Sequence, residues 1–123
     1  MKKSLDKQKA SFGHAFDGIR WAFTHHPNFR IHSVLTIGVL AASWYFSITR
    51  LELVILLFAI TLGFVAEMIN TSIESMTDLI TSEWREHAKI AKDVSAGMML
   101  VVAIGDSVIA GIIFVPYIME AFA

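Results

Sequence analysis

Four polar side chains recur at helical spacing near the middle of the chain. Glu67, Asn70, Glu74 and Asp78 are separated by three, four and four residues in the segment EMINTSIESMTD, directly after the uncharged run LVILLFAITLGFVA. Such spacings place side chains on one face of an α-helix. Carboxylates with an amide suit Mg²⁺, which takes oxygen ligands and commonly shares them with phosphates. A carboxylate that is left unligated can instead act as a general base toward an alcohol.

The composition places this polar face in a membrane protein. The 123 residues are 55% hydrophobic and only 17% charged, which is too apolar for a soluble domain of this length. Segments of about 31–49, 51–80 and 94–119 are long enough to cross a bilayer as helices, which takes roughly 20 apolar residues. We therefore expect one all-α membrane domain, 1–123, with three transmembrane helices. The absence of cysteine excludes disulfides and thiol chemistry, and no feature supports nucleic-acid binding.

An amphipathic helix is predicted before the first span, at about 4–26. Its apolar residues recur at spacings of seven, four, three and four, and Pro27 disfavours helix at the preceding residue. Such a helix can lie on the cytoplasmic leaflet, or it can pack on the transmembrane bundle. The basic N-terminus lacks a signal-peptide pattern, so we expect it to be retained. The apolar residues are Leu5, Phe12, Phe16, Ile19 and Phe23.

The basic residues predict the orientation in the membrane. Of ten Lys and Arg, six precede the first span, three lie between the second and third, and only Arg50 lies between the first and second. Cytoplasmic loops are the ones enriched in Lys and Arg. The N-terminus and the second loop are therefore expected in the cytoplasm, with Arg50 and the C-terminus outside.

The second helix is too long for the bilayer. At 1.5 Å per residue the segment 51–80 is about 45 Å long, against a hydrocarbon core of about 30 Å. The polar face then straddles the inner edge of the membrane, where a lipid headgroup and a water-soluble ligand can meet. Carboxylates in a membrane helix cost about 2.5–3.5 kcal/mol each at its centre and usually serve a function. The structural alternative is that they hydrogen-bond between helices.

Two further features lie in the third segment. In AKDVSAG, Asp93 or Ser95 is predicted to cap the third helix with Lys92 beside it, which would favour an anion such as phosphate. An ordinary cap with one cytoplasmic Lys is the alternative. Asp106 is predicted near mid-membrane, far from the polar face, either protonated or paired with a hydroxyl such as that of Thr61 or Ser43. No Walker loop or kinase HRD or DFG motif is present.

These motifs resemble one family. ExxNTxIExxxD on the second span and AKDxxAG at the third, with GIR at 18–20 and NFRIH at 28–32, are similar to the small prokaryotic diacylglycerol kinases and undecaprenol kinases. The resemblance covers nearly the whole chain. It implies a homotrimer in the bacterial inner membrane that transfers the γ-phosphoryl group of MgATP to a lipid alcohol at sites between subunits.

The resemblance also implies roles for individual residues. Where the family usually has a metal-sharing Glu, this chain has His26, a weaker partner for Mg²⁺. NFRIH and the AKDVSAG context favour undecaprenol as the substrate, with diacylglycerol as the alternative. The implied roles are Glu67 as base, Asn70 orienting it, Glu74 on Mg²⁺, Lys92 on the ATP phosphates, and Asp78 and Asp93 supporting the nucleotide.

Two other functions stay open at this point. Asp106 together with the polar face could line a small oligomeric channel or ion-coupled transporter, although a pore should carry polar groups along its whole length. His26 could instead mark a degenerate kinase that is retained as a binding module.

Overall fold

The computed structural model describes the backbone of residues 2–123 and the side chains of residues 8–123. The described backbone forms four α-helices and no strand: α1 Lys2–His25, α2 Pro27–Tyr45, α3 Arg50–Ile80 and α4 Glu86–Ala121. The predicted all-helical class is therefore confirmed. Of the predicted amphipathic face, Leu5 lies outside the described side chains, as do Lys2, Lys3 and Lys7.

Short connections join the first three helices. His26 alone separates α1 from α2, and its extended backbone (φ −107°, ψ 114°) is the conformation that a residue before proline favours. Residues 46–49 join α2 to α3 in a tight turn in which Ser47 has a positive φ of 51°. At the start of α3, Thr49 and Glu52 form a reciprocal capping box.

The third and fourth helices form the main packed pair. Their contact is the most extensive of the fold, and α2 and α1 pack against α3 over smaller areas. Two side-chain hydrogen bonds show the antiparallel register, because Tyr117 meets Glu52 at one end of the pair and Ser95 meets Asn70 toward the other. This pairing places the start of α4 beside the end of α3.

The prediction that Asp93 or Ser95 caps the last helix is wrong. Helix α4 begins at Glu86 after an extended Arg85, so both residues lie inside the helix. Lys92 lies nearly two turns after the helix N-terminus. Hydropathy marks where the apolar stretch begins, whereas the helix itself begins eight residues before Val94. The polar first turns remain helical because no Gly or Pro interrupts 86–96 and because Lys89 pairs with Asp93 one turn later. Lys92 therefore does not lie at a helix N-terminus, and the structure gives no support to the anion site predicted there.

In the part of the chain that the structure describes, two helices are long and apolar enough to cross a membrane, α3 and α4. Neither is mostly buried within the chain, unlike the core helix of a soluble protein. Helix α2 falls short by composition, because Asn28, Arg30 and His32 occupy its first turns. In α1, Phe12 and Phe16 are about 70% exposed, so the chain itself does not cover this apolar face.

Candidate active site

The predicted polar face lies in the C-terminal half of α3, which packs beside the start of α4. Burial decreases along it, with Glu67 fully buried, Asn70 nearly so, Glu74 half-buried and Asp78 exposed. The face therefore passes from the interior of the helix bundle to the surface within about three turns. Thr71, next to Asn70, is buried as well.

Glu67 has the least accessible side chain among the described residues, at 0% exposure, yet neither of its carboxylate oxygens has a hydrogen-bond partner. The Thr71 hydroxyl, one turn further along, is likewise buried without a partner. Buried polar groups are nearly always hydrogen-bonded, and an unpaired buried carboxylate is costly. Glu67 is therefore a free acceptor in a protected position.

Asn70 joins two other polar side chains. Its Nδ2 donates to Glu74 Oε1 at 3.2 Å, while its Oδ1 accepts from the Ser95 hydroxyl of α4 at 2.6 Å. The predicted partner of Asn70 is Glu67, but within residues 8–123 no hydrogen bond joins the two. Ser95 is a site residue that the sequence analysis assigns only to a helix cap. Its spacing of three from Lys92 is the signal that places both on one face of α4.

The predicted nucleotide residues meet at the exposed end of the α3–α4 pair. Lys92 Nζ lies 2.6 Å from Asp78 Oδ1, and Asp93 forms an ion pair with Lys89 one turn earlier. A cleft of about 310 Å³ opens between the end of α3 and the start of α4. These four charged residues line it together with the exposed Trp84. The pairing of Lys92 with Asp78 brings a cation and an anion from two helices to one place.

The donor set fits Mg²⁺ at Glu74 and not at His26. Glu74 uses Oε1 to accept from Asn70, and among residues 8–123 its Oε2 has no hydrogen bond, which suits a cation that takes one or two carboxylates plus phosphates and water. Across the described side chains, no three His, Asp or Glu converge as a metal site. His26 packs on Trp21 at a ring distance of 5.3 Å and forms no hydrogen bond or ion pair with Glu74 in the described part of the chain. Glu67 and Glu74 are seven residues apart, about 10 Å along the helix, which favours separate roles.

Asp106 lies closer to this site than predicted. A Cβ on Gly63, one helical turn from Glu67, would lie 3.2 Å from Asp106 Oδ2 and 3.4 Å from His32 Nδ1. Gly63 thus lets an acidic residue of α4 and a histidine of α2 approach α3. The hydroxyl partners predicted for Asp106 are wrong, because Ser43 and Thr61 each donate to a carbonyl of their own helix. His32, Asp106 and the Ser107 hydroxyl line a cavity of about 260 Å³ at this level.

An all-helical chain with two long, largely exposed apolar helices and a polar site toward their charged end defines a helical membrane protein. Comparison with known proteins gives its family. The model of the prokaryotic diacylglycerol kinase family matches residues 13–114, so the chain belongs to this family and is a lipid kinase.

Three relatives show the range of similarity. A diacylglycerol kinase of Synechocystis sp. is 33% identical over 111 residues, which cover 89% of this chain and 63% of that protein. The undecaprenol kinase of Bacillus subtilis is 33% identical over 115 residues, or 94% of each chain. The diacylglycerol kinase of Escherichia coli K12 is 26% identical over 92 residues, or 75% of each chain.

Proposed function

We propose that this protein transfers the γ-phosphoryl group of MgATP to the hydroxyl of a membrane lipid alcohol, with Glu67 as the general base. The observation that carries the proposal is the state of Glu67, which is fully buried and has two unpartnered carboxylate oxygens. It lies between an apolar bundle and an exposed charged cleft. A lipid hydroxyl that enters from the membrane side can donate its proton to Glu67 as its oxygen attacks phosphorus.

The nucleotide is proposed to bind at the exposed end of the same face. Lys92 would contact the phosphates, and Asp78 and Asp93 would hold the surrounding lysines in place. Glu74, held by Asn70, would bind Mg²⁺ through its free oxygen; when bound, the ion neutralises developing charge on the phosphates. Phosphoryl transfer depends chiefly on positioning and charge neutralisation, so these few residues suffice without a separate nucleotide-binding domain.

Undecaprenol is the first candidate substrate. The support is the NFRIH and AKDVSAG context together with the similarity to an undecaprenol kinase over 94% of each chain. Diacylglycerol is the second candidate, because a diacylglycerol kinase is equally identical over a slightly shorter stretch.

The assembly is proposed to be a homotrimer in the bacterial inner membrane, with α2 as the first of three spans and the N-terminus in the cytoplasm. The exposed apolar surface of α2, α3 and α4 supports further burial by lipid and by other copies of the chain. The basic residues support the orientation, because nine of ten fall on the side proposed to be cytoplasmic.

The direct test is ATP turnover by the purified protein in bicelles that contain either undecaprenol or diacylglycerol, with Mg²⁺. We expect phosphorylated undecaprenol as the main product. Phosphorylation of diacylglycerol alone would reverse the order of the two substrates. If neither lipid is phosphorylated, His26→Glu tests whether the kinase is degenerate, since activity gained by that variant would identify the missing metal ligand. Persistent inactivity of both proteins would end the proposal.

A further inference from the structure

Ser95 differs from other helical serines in what its hydroxyl bonds. Four serines in helices α2, α3 and α4 donate to the carbonyl four residues earlier, which is the usual local bond of a helical serine. These are Ser33, Ser43, Ser72 and Ser107. Ser95, only 2% exposed, instead donates across the helix pair to Asn70 Oδ1 at 2.6 Å.

The chemistry of the neighbouring groups fixes the direction of this bond. The Asn70 group that faces Glu74 is the NH₂, which donates to a carboxylate oxygen that accepts. The amide oxygen of Asn70 then points to Ser95, whose hydroxyl must donate. If the amide were reversed, its oxygen would face the carboxylate. Glu74 therefore sets the orientation of the Asn70 amide, and Ser95 holds the amide in that orientation from the opposite helix.

We infer that Ser95 is a positioning residue of the kinase site, which acts through Asn70 on Glu74. This inference rests on the proposed function. The Ser95 hydroxyl holds the Asn70 amide, the amide occupies Glu74 Oε1, and Glu74 Oε2 remains the oxygen available to the cation. The same bond holds α4 in register with α3. It thereby helps to place Lys92, which lies three residues before Ser95 on α4.

The test compares Ser95→Ala with Ser107→Ala, which removes a hydroxyl from the same helix where it bonds only its own backbone. Mn²⁺ binding is measured by electron paramagnetic resonance in the presence of a non-hydrolysable ATP analogue. We expect Ser95→Ala to weaken Mn²⁺ binding by about ten-fold, the lower end of what loss of a group supporting a metal ligand causes. Ser107→Ala should bind Mn²⁺ as the unaltered protein does.

Activity assays and a conservative variant complete the test. In Ser95→Ala, the Mg²⁺ concentration for half-maximal turnover should rise by a larger factor than that by which kcat falls at saturating Mg²⁺. Ser95→Thr retains a hydroxyl and should restore metal binding. Thermal unfolding identifies variants that fail to fold. If Ser95→Ala is one of them, Ser95→Cys replaces it, because a thiol is a weaker donor than a hydroxyl. Ser95→Cys should then bind Mn²⁺ less tightly than Ser95→Thr. A folded Ser95→Ala variant, or Ser95→Cys in its place, that binds Mn²⁺ as tightly as Ser107→Ala would overturn the inference. If the unaltered protein phosphorylates no lipid but its Mn²⁺ binding still depends on Ser95, the proposed function is wrong and the positioning role of Ser95 stands.

Discussion

Lys92 and Asp78 are joined across two helices, with the Lys92 Nζ 2.6 Å from Asp78 Oδ1 although 14 residues separate them in the chain. Both side chains are well exposed. An exposed pair of this kind contributes only about 0–1 kcal/mol. The pair therefore holds Lys92 at the cleft without binding it so tightly that a phosphate could not replace the carboxylate.

Replacement of Lys92 by Ala is expected to weaken ATP binding. A hydrogen bond to a charged group contributes about 1.5–3 kcal/mol, so the KM for MgATP should rise about ten-fold or more. Arg50→Ala removes one positive charge at the opposite end of α3 and serves as the control. An equal KM for the two variants, measured in the same bicelles, would contradict the role given to Lys92.

Glu67→Gln should separate activity from stability. Loss of the general base is expected to lower kcat by about 10²–10⁴-fold. The neutral amide relieves an unpaired buried carboxylate, so the midpoint of thermal unfolding should stay the same or rise. MgATP binding, measured by titration calorimetry, should survive in this variant and weaken in Glu74→Gln. Full activity of both variants would refute the assignment of roles.

Gly63→Ala tests the approach of Asp106 and His32 to α3. The added methyl would lie 3.2 Å from the Asp106 carboxylate, so we expect lower thermal stability. Gly105→Ala is the matched control, because apart from its chain neighbours and the backbone of its own helix no described atom lies within 4 Å of its added methyl. That control should gain about 0.5–1 kcal/mol from helix propensity.

A second substitution locates the cause of that destabilisation. Asp106→Ala in the Gly63→Ala background should recover part of the lost stability. No recovery would mean that the carboxylate is not what limits space at this position.

Tyr117→Phe tests the other end of the helix pair. The Tyr117 hydroxyl donates to Glu52 Oε2 at 2.8 Å, the same oxygen that accepts from the Thr49 backbone and hydroxyl. Its removal should lower the thermal midpoint while kcat stays unchanged, because the proposed site lies at the opposite end of α3. Tyr45→Phe, which loses an exposed hydroxyl, should leave both quantities unchanged. A fall in kcat without a change in the thermal midpoint would contradict this prediction, because Tyr117 would then affect the proposed site and not stability.

The proposed crossing of the membrane by α3 can be tested with single cysteines, since the chain has none of its own. Ser82→Cys, after α3, should react with a membrane-impermeant maleimide only when the inner face is opened. Ser47→Cys, in the turn before α3, should react in intact spheroplasts. Reaction of both from the same side would show that α3 does not cross the membrane as proposed.

Much of the helical architecture follows from local sequence. Pro27 fixes the break between α1 and α2, and the absence of proline over 51–80 together with a Thr49–Glu52 capping box produces one long α3. The period of the polar residues is enough to place Glu67, Asn70, Glu74 and Asp78 on one face. These features depend on residues within a few positions of each other, which is why a single sequence reveals them. The start of α4 was missed because a helix can extend beyond its apolar segment.

The partners of these side chains were decided only when the helices packed. Hydropathy and spacing do not contain the rotation and register of α4 against α3. That register joins Ser95 to Asn70 and leaves Glu67 buried without a bond, and it brings Asp106 to the space above Gly63. A hydrogen bond requires two atoms within about 3 Å, whereas helical periodicity locates a side chain only to a face. The sequence alone therefore determined which residues could act, and tertiary packing determined which of them act together.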